Sequence, residues 1–206
     1  MLVVPVRRQS GEGIVYSAID VKKWAEETPT TEQARPGCCS LCGAASKPPG
    51  AALVVVGHGL RERHIRGPAS ALGAPVIRTI SVRRYRCRRC GGLTTVLPRG
   101  LCARRHYSAS AIGLSLCLFG MRQLTIGETR RRVCPWQAGF ETERWTTLAG
   151  WLAAIEQGRL LPVVRPSPPT FSLRDRAARA ATTFCALAFG RSSAEQEAFE
   201  GAALAA

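Results

Sequence analysis

Four cysteines in two Cys-x-x-Cys pairs are the residues of this sequence most able to do chemistry. The first pair is Cys39 and Cys42, and the second is Cys87 and Cys90. Two thiolates three positions apart on a tight turn can bind one metal ion, and two such turns complete a tetrahedral site of four sulfurs. Because four thiolates leave no open position for water or substrate, the pattern predicts a structural Zn²⁺ ion rather than a catalytic one.

A glycine follows each pair, at Gly43 and Gly91, where the chain must turn sharply past a bound metal. The spacer between the pairs, residues 43–86, is longer than the roughly 15–20 residues of common zinc patterns, so strands must carry the chain back. Buried structural cysteines and a redox dithiol are the alternatives. A redox dithiol usually belongs to a thioredoxin-like βαβ unit, which the sequence does not predict.

Two other residues compete as ligands. Cys38 could replace Cys39 in a Cys-x-x-x-Cys pair, although Cys39 matches the second pair better, and His58 lies between two glycines, as is typical of a turn. The other cysteines are expected to be small buried apolar residues: Cys102, Cys117, Cys134 and Cys185.

The expected location of the protein depends on two sequence features, a secretory signal and a membrane-spanning stretch. The first ten residues lack the charged and apolar order of a secretory signal, so we expect a cytoplasmic protein with reduced cysteines. No apolar stretch reaches the roughly 20 residues that span a bilayer, so no membrane partner is expected.

Positive charge is concentrated around the second cysteine pair. The chain has 29 Lys and Arg against 14 Asp and Glu, a net charge of +15, and residues 61–105 hold twelve arginines and one glutamate, a local charge of +11. Arginine forks fit phosphates and guanine edges, so this basic stripe predicts a nucleic acid partner, duplex DNA first. RNA, an acidic protein partner and a solvated face remain alternatives. The residues predicted to contact nucleic acid are Arg83, Arg84, Arg86, Arg88, Arg89, Arg104, Arg105, Arg130, Arg131, Arg144 and Thr147.

The elements that must position these residues predict an α+β fold, a small antiparallel zinc ribbon followed by a helix-turn-helix-like unit. Residues 1–37 form an irregular arm with one short helix near 17–27, and residues 38–105 form the ribbon with its basic stripe. Residues 106–160 form the helical unit, and residues 161–206 a proline-rich linker with a C-terminal helix. β-branched or alternating residues predict the ribbon strands at Leu53–Gly57, Val76–Cys87 and Leu93–Leu97, the last ended by Pro98.

Three helices are predicted in the helical unit. The first begins near Ser108 or Ser110, the second begins with the capping box Thr125-Ile-Gly-Glu128, and the third covers Thr142–Glu156. The third would be the recognition helix, presenting Arg144 and Thr147 to a major groove, while the arginines of the second helix contact phosphate. An ordinary helical bundle is the alternative.

These motifs together resemble a known family. The segments Cys39-Ser-Leu-Cys-Gly, Gly57-His-Gly, Val82-Arg-Arg-Tyr-Arg-Cys-Arg-Arg-Cys-Gly and Leu97-Pro resemble the zinc ribbon at the N-terminus of certain bacterial insertion-sequence transposases, in which a helix-turn-helix follows. The resemblance covers about residues 38–158. It implies that the four cysteines bind zinc and that this region recognises transposon-end DNA.

The sequence also departs from that family. Such transposases continue into a catalytic domain whose acidic triad holds two Mg²⁺ ions, whereas this chain has Asp20 and Asp175 as its only aspartates. We therefore expect DNA binding without strand transfer, and no enzyme activity. A stand-alone accessory factor that works with a separate transposase, a transcriptional regulator and a truncated remnant are the alternatives.

Overall fold

The computed structural model describes residues 12–136, 145–188, 190 and 192–206. Four strands and six helices lie within these residues, which confirms the α+β class. In chain order they are β1 (Glu12–Asp20), α1 (Val21–Glu26), β2 (Val55–Pro68), β3 (Pro75–Cys87), β4 (Leu93–Arg99), α2 (Ala109–Gly120), α3 (Ile126–Val133), α4 (Thr146–Glu156), α5 (Leu173–Ala188) and α6 (Ala194–Leu204).

The chain forms two compact units. The first unit consists of the chain up to Arg63 together with Thr79–Arg99. The second unit consists of His64–Arg78 together with the chain from Gly100 onward. Since β2 and β3 each contribute residues to both units, the units do not follow the order of the sequence.

The sheet has the strand order β1-β4-β3-β2. Strand β4 pairs antiparallel with β3, where Arg84 lies opposite Thr95, and parallel with β1, where Val15 lies opposite Val96. The sheet is therefore mixed, whereas the sequence predicted a small antiparallel ribbon within residues 38–105. The cause is β1, which occupies the segment predicted as an irregular arm and pairs with a strand about 80 residues further along the chain.

The segment that follows β1 packs on the sheet. Trp24 is buried, and its indole N–H donates to the carbonyl of Ser81 at 2.9 Å. The hydroxyl of Tyr85 donates to the carbonyl of Thr31 at 2.7 Å. These contacts hold the two ends of residues 24–31 against β3, and Trp24 belongs to the buried core.

Helix α2 is the centre of the second unit, since all twelve of its residues are buried. The side chain of Ser108 caps it by accepting from the amide of Ala111 at 3.1 Å. Ser108 is one of the two residues that the sequence predicted as the N-cap of this helix. Gly113 lets α6 approach closely, because a Cβ there would lie 2.4 Å from the carbonyl oxygen of Ala198.

Among the described residues, no helix combines the length and the apolar character that a membrane-spanning segment needs.

The other helices match the sequence prediction in part. Thr125 and Glu128 form the predicted capping box of α3. Helix α4 begins at Thr146, and residues 142–144 of the predicted third helix lie outside the described residues. Helix α6 was missed, although Ser193 and Gln196 carry a capping signal, and the Ser193 side chain accepts from the Gln196 amide.

Strand β4 is longer than the predicted strand Leu93–Leu97, because it continues through Pro98 to Arg99. The ladder with β3 stops at Val96, so the missing N–H of proline breaks no bond of that ladder.

Two helical glycines provide a matched test of this packing. Gly113→Ala should lower the free energy of unfolding by about 1–3 kcal/mol, because the added methyl meets the backbone of α6. Gly150→Ala in α4 has open space around its Cβ and should raise the free energy of unfolding by about 0.5–1 kcal/mol. Urea unfolding measures both, and equal effects would contradict the packing of α2 against α6.

Candidate metal centre

The first cysteine turn is closed by its own backbone. The amide of Cys39 donates to the carbonyl of Ala44 at 2.8 Å, and the amide of Gly43 donates to the carbonyl of Cys39 at 3.0 Å. Gly43 has a φ of 68°, the left-handed conformation that glycine adopts without strain. The amide of Leu41 donates to the sulfur of Cys39 at 3.4 Å, so a backbone donor already faces this ligand.

The second cysteine turn has the same construction. The amide of Cys87 donates to the carbonyl of Gly92 at 2.9 Å, and that of Gly91 donates to the carbonyl of Cys87 at 2.8 Å. Gly91 has a φ of 76°, and the amide of Gly92 donates to the sulfur of Cys90 at 3.4 Å. The predicted role of the two glycines that follow the cysteine pairs is thus confirmed by their backbone conformation.

The four sulfurs meet in one place. The Sγ atoms of the four cysteines of the two turns all lie within 4.8 Å of one another. The shortest separations join the turns crosswise, with 3.7 Å from Cys39 to Cys90 and 3.8 Å from Cys42 to Cys87. Such a group can hold one metal ion, and among the described residues it is the only group of three or more His, Cys, Asp or Glu side chains that can.

The environments of the sulfurs differ. Burial opposes ionisation of Cys39, but hydrogen bonds from the amides of Leu41 and Cys42 and from the thiols of Cys42 and Cys90 together outweigh it and lower the pKa of this thiol to about 7. At Cys90, burial dominates and raises the pKa to about 12. A cation in the centre would favour the thiolate form at every position, because it replaces the protons as the positive partner of the sulfurs.

Side chains of the first turn fix it to its surroundings. The hydroxyl of Ser40 lies 2.8 Å from that of Thr94 on β4. Leu41 covers the second turn so closely that a Cβ on Gly92 would lie 2.3 Å from its Cδ1 atom. Sequence reasoning missed these contacts, although the second glycine after Cys90 was a signal that something packs closely there.

The competing ligands stay outside the cluster. Cys38 is exposed and does not join the four sulfurs, and neither does the exposed His58. Three of the remaining cysteines are buried as predicted, and Cys185 is half-buried.

Exposed arginines surround the second turn. Arg86, Arg88 and Arg89 are exposed and line an open cleft together with Val56 and the turn itself. No ion pair joins any of the three to an acidic residue in the described part of the chain. Their charge is therefore available to a ligand in solution.

Two other arginines of the predicted stripe serve the fold. Arg83 donates from Nε to the carbonyl of Pro29 at 2.7 Å and holds the segment before the first turn. Arg84 is half-buried, with its Nε atom 3.9 Å from the carboxylate of Glu12, which also lies 3.4 Å from Arg61.

The predicted contact residues of the second unit are spread over several elements. Arg104 and Arg131 are exposed, whereas Arg105, Arg130 and Thr147 are half-buried. Arg144 lies outside the described residues. The exposed positions of α4 after Thr146 are small residues, namely Ala149, Gly150 and Ala153, which offer few side-chain donors to a base edge. Its role as a recognition helix stays a prediction.

Comparison of the chain with protein-family models, with curated proteins and with solved structures gave no match. The cysteine cluster and the exposed arginines around it are the features of the molecule that indicate a function.

The metal centre makes a prediction about stability. Cys42→Ser and Cys87→Ser should each remove the bound metal and lower the melting temperature, because the binding free energy of a structural metal is also folding free energy. Metal analysis of the purified protein should give about one ion per chain for the wild type. Cys38→Ser, a substitution next to the first ligand, is the matched control and should keep the metal.

Two outcomes would contradict this assignment of ligands. One is full metal content after all four cysteines of the cluster are replaced. The other is loss of metal in Cys38→Ser together with retention in Cys39→Ser, which would make Cys38 the ligand.

Proposed function

We propose that this chain is a zinc-stabilised DNA-binding protein without strand-transfer activity, similar in its role to the recognition region of insertion-sequence transposases. Exposed arginines on a turn of the four-cysteine cluster are the observation that carries the proposal. Arg88 and Arg89 stand between Cys87 and Cys90, so a metal that fixes the two sulfurs also fixes the position of both arginines.

Zinc is the metal that the donor set fits best. Four thiolates at Zn–S bonds of about 2.3 Å form a tetrahedron whose sulfurs are about 3.8 Å apart. The crosswise separations of 3.7 and 3.8 Å match that edge. Soft thiolate ligands also favour zinc over hard ions such as Mg²⁺ or Ca²⁺. When bound, the ion supplies cross-linking between the two turns, and the protein's own arginines make the contacts with the ligand.

DNA is the polyanion that we propose as the partner. The net charge of +15 attracts any phosphate backbone, and planar guanidinium groups can bind phosphate oxygens in pairs. The cleft at the second turn places three such groups next to one another without competing carboxylates in the described part of the chain. In this role the protein acts as an accessory factor with a separate transposase or as a transcriptional regulator.

We propose that the protein lacks strand-transfer activity because its two aspartates have structural roles at the starts of helices. Asp20 caps α1 by accepting from the amide of Lys22 at 2.8 Å. Asp175 accepts from the hydroxyl of Ser172 at 2.6 Å at the start of α5. Both carboxylates therefore serve helix ends, whereas a two-metal phosphoryl-transfer site needs clustered acidic ligands.

Salt dependence tests the arginine contacts. Replacing Arg86, Arg88 and Arg89 with Ala should weaken binding to duplex DNA of any sequence. If all three contact phosphate, the slope of log K against log salt should become shallower by roughly 3 units, since each contact contributes about 0.9. Fluorescence anisotropy with labelled duplex DNA over a range of salt concentrations measures this slope.

The matched control removes the same charge elsewhere. Arg159, Arg165 and Arg179 are exposed residues of the second unit, and their replacement with Ala should leave the slope nearly unchanged. An equal change of slope in both triple variants would show that only net charge matters. An unchanged slope in the first variant would show that the cleft does not contact DNA.

The proposal also predicts that the protein alone does not cleave or join DNA. With Mg²⁺ or Mn²⁺, the purified protein should neither nick nor join supercoiled plasmid or linear DNA, because its two aspartates cap helices. Gel electrophoresis detects either product. Reproducible cleavage that disappears when particular Asp or Glu residues are replaced would contradict the proposal.

A further inference from the structure

One tryptophan differs from the other three. Trp24, Trp145 and Trp151 are 1%, 8% and 2% exposed, whereas Trp136 is 53% exposed. Trp145 and Trp151 pack edge-to-face in the core of the second unit, with ring centroids 5.3 Å apart. The ring of Trp136 remains open to solvent and has no such role in the core, so its face is available to stack on a ligand.

The exposed ring is paired with a cation. The guanidinium of Arg66 lies over the ring of Trp136, 5.7 Å from its centroid. Arg66 forms no ion pair among the described residues, and its Nε atom is buried without a hydrogen-bond partner there. Within the described residues, the indole ring is the charge-stabilising contact of this guanidinium, and a phosphate or a polar base edge could also bind it.

The backbone holds both residues in place. The amide of Arg66 donates to the carbonyl of His106 at 2.7 Å, and its carbonyl accepts from the amide of Ser108 at 3.2 Å. The carbonyl of Trp136 lies 3.8 Å from the sulfur of the buried Cys134. The backbone of Arg66 is thus held in place before binding, which lowers the entropy cost of placing its side chain against a ligand.

The surroundings carry the same sign of charge. His106, whose carbonyl accepts from the amide of Arg66, is exposed, and Arg104 is exposed two positions before it in the chain. An aromatic ring among basic side chains is how proteins bind single-stranded nucleic acid, because the ring stacks on a base while the cations contact the backbone. An acidic peptide would use the cations but would leave the ring exposed, so the observations favour a nucleic acid.

We propose that Trp136 and Arg66 form a stacking site for an unpaired nucleobase of a single-stranded DNA segment. This inference rests on the proposed function and adds a second kind of contact to it. The cleft of the first unit binds phosphate groups, and the site of the second unit binds a base without regard to its identity, because every base has a π-face.

Abasic oligonucleotides test the stacking directly. The wild-type protein should bind a single-stranded thymidine oligonucleotide more tightly than an oligonucleotide of the same length with abasic residues, which keeps the phosphates. Trp136→Ala should weaken binding of the thymidine oligonucleotide by roughly 5- to 150-fold, the range for loss of one stacked base, and should leave the abasic affinity nearly unchanged. Leu72→Ala is the matched control, because Leu72 is 83% exposed in the same unit, and it should change neither affinity.

Fluorescence of the unmodified protein gives a second readout that needs no variant. Since the other three tryptophans are buried, stacking of a base on Trp136 should quench the fluorescence of the exposed ring when the thymidine oligonucleotide is added, and the abasic oligonucleotide should quench less. Binding of the thymidine oligonucleotide without quenching, or an intact preference over the abasic oligonucleotide in Trp136→Ala, would overturn the inference.

The two proposals fail in different ways. If duplex binding depends on Arg86, Arg88 and Arg89 while Trp136→Ala binds single strands as the wild type does, the stacking site is wrong and the proposed function stands. If the wild-type protein binds neither duplex nor single-stranded DNA, the proposed function itself is wrong.

Discussion

The convergence of four cysteine sulfurs is the constraint on which the first unit depends. The two turns that supply them are separated by residues 43–86, and each turn is closed by its own backbone hydrogen bonds. Local bonds shape the turns, but they cannot bring one turn to the other. Leu41 packs on Gly92 of the second turn, and Ser40 of the first turn lies within hydrogen-bond distance of Thr94 on β4. A metal ion held by the four sulfurs would add its binding free energy to these contacts and cross-link the two turns directly.

The same constraint organises the charge of the first unit. Arginines close together in the sequence have different roles, because Arg83 and Arg84 lie on strand β3 whereas Arg88 and Arg89 lie on the turn that follows it. Arg83 is used to hold the segment around Pro29, and Arg84 lies near Glu12, so neither is fully available to a ligand. Arg88 and Arg89 lie on the turn itself and are exposed. A basic stripe that looks uniform in the sequence thus separates into arginines that stabilise the fold and arginines that can bind a polyanion.

Local signals predicted the turns well and the long-range pairing poorly. The positions of Gly43 and Gly91 after the cysteine pairs predicted their positive φ, and Thr125 with Glu128 predicted the start of α3. Both features depend only on residues within four positions in the chain. Strand β1 could not be predicted as part of the sheet, since its parallel partner β4 is far away in sequence. The pairing of Trp136 with Arg66 was equally hidden, because 70 positions separate the two residues and no short motif links them.

Hydrogen exchange with and without a strong metal chelator tests most directly whether the metal holds the first unit together. In full-length protein, removal of the metal should expose the amides of Cys39, Cys87 and β4 to rapid exchange, because their hydrogen bonds depend on the joined turns. The amides of the fully buried helix α2 should keep their protection. Unchanged protection of the two turns and of β4 in metal-free protein would show that the fold does not need the ion, and would contradict this account.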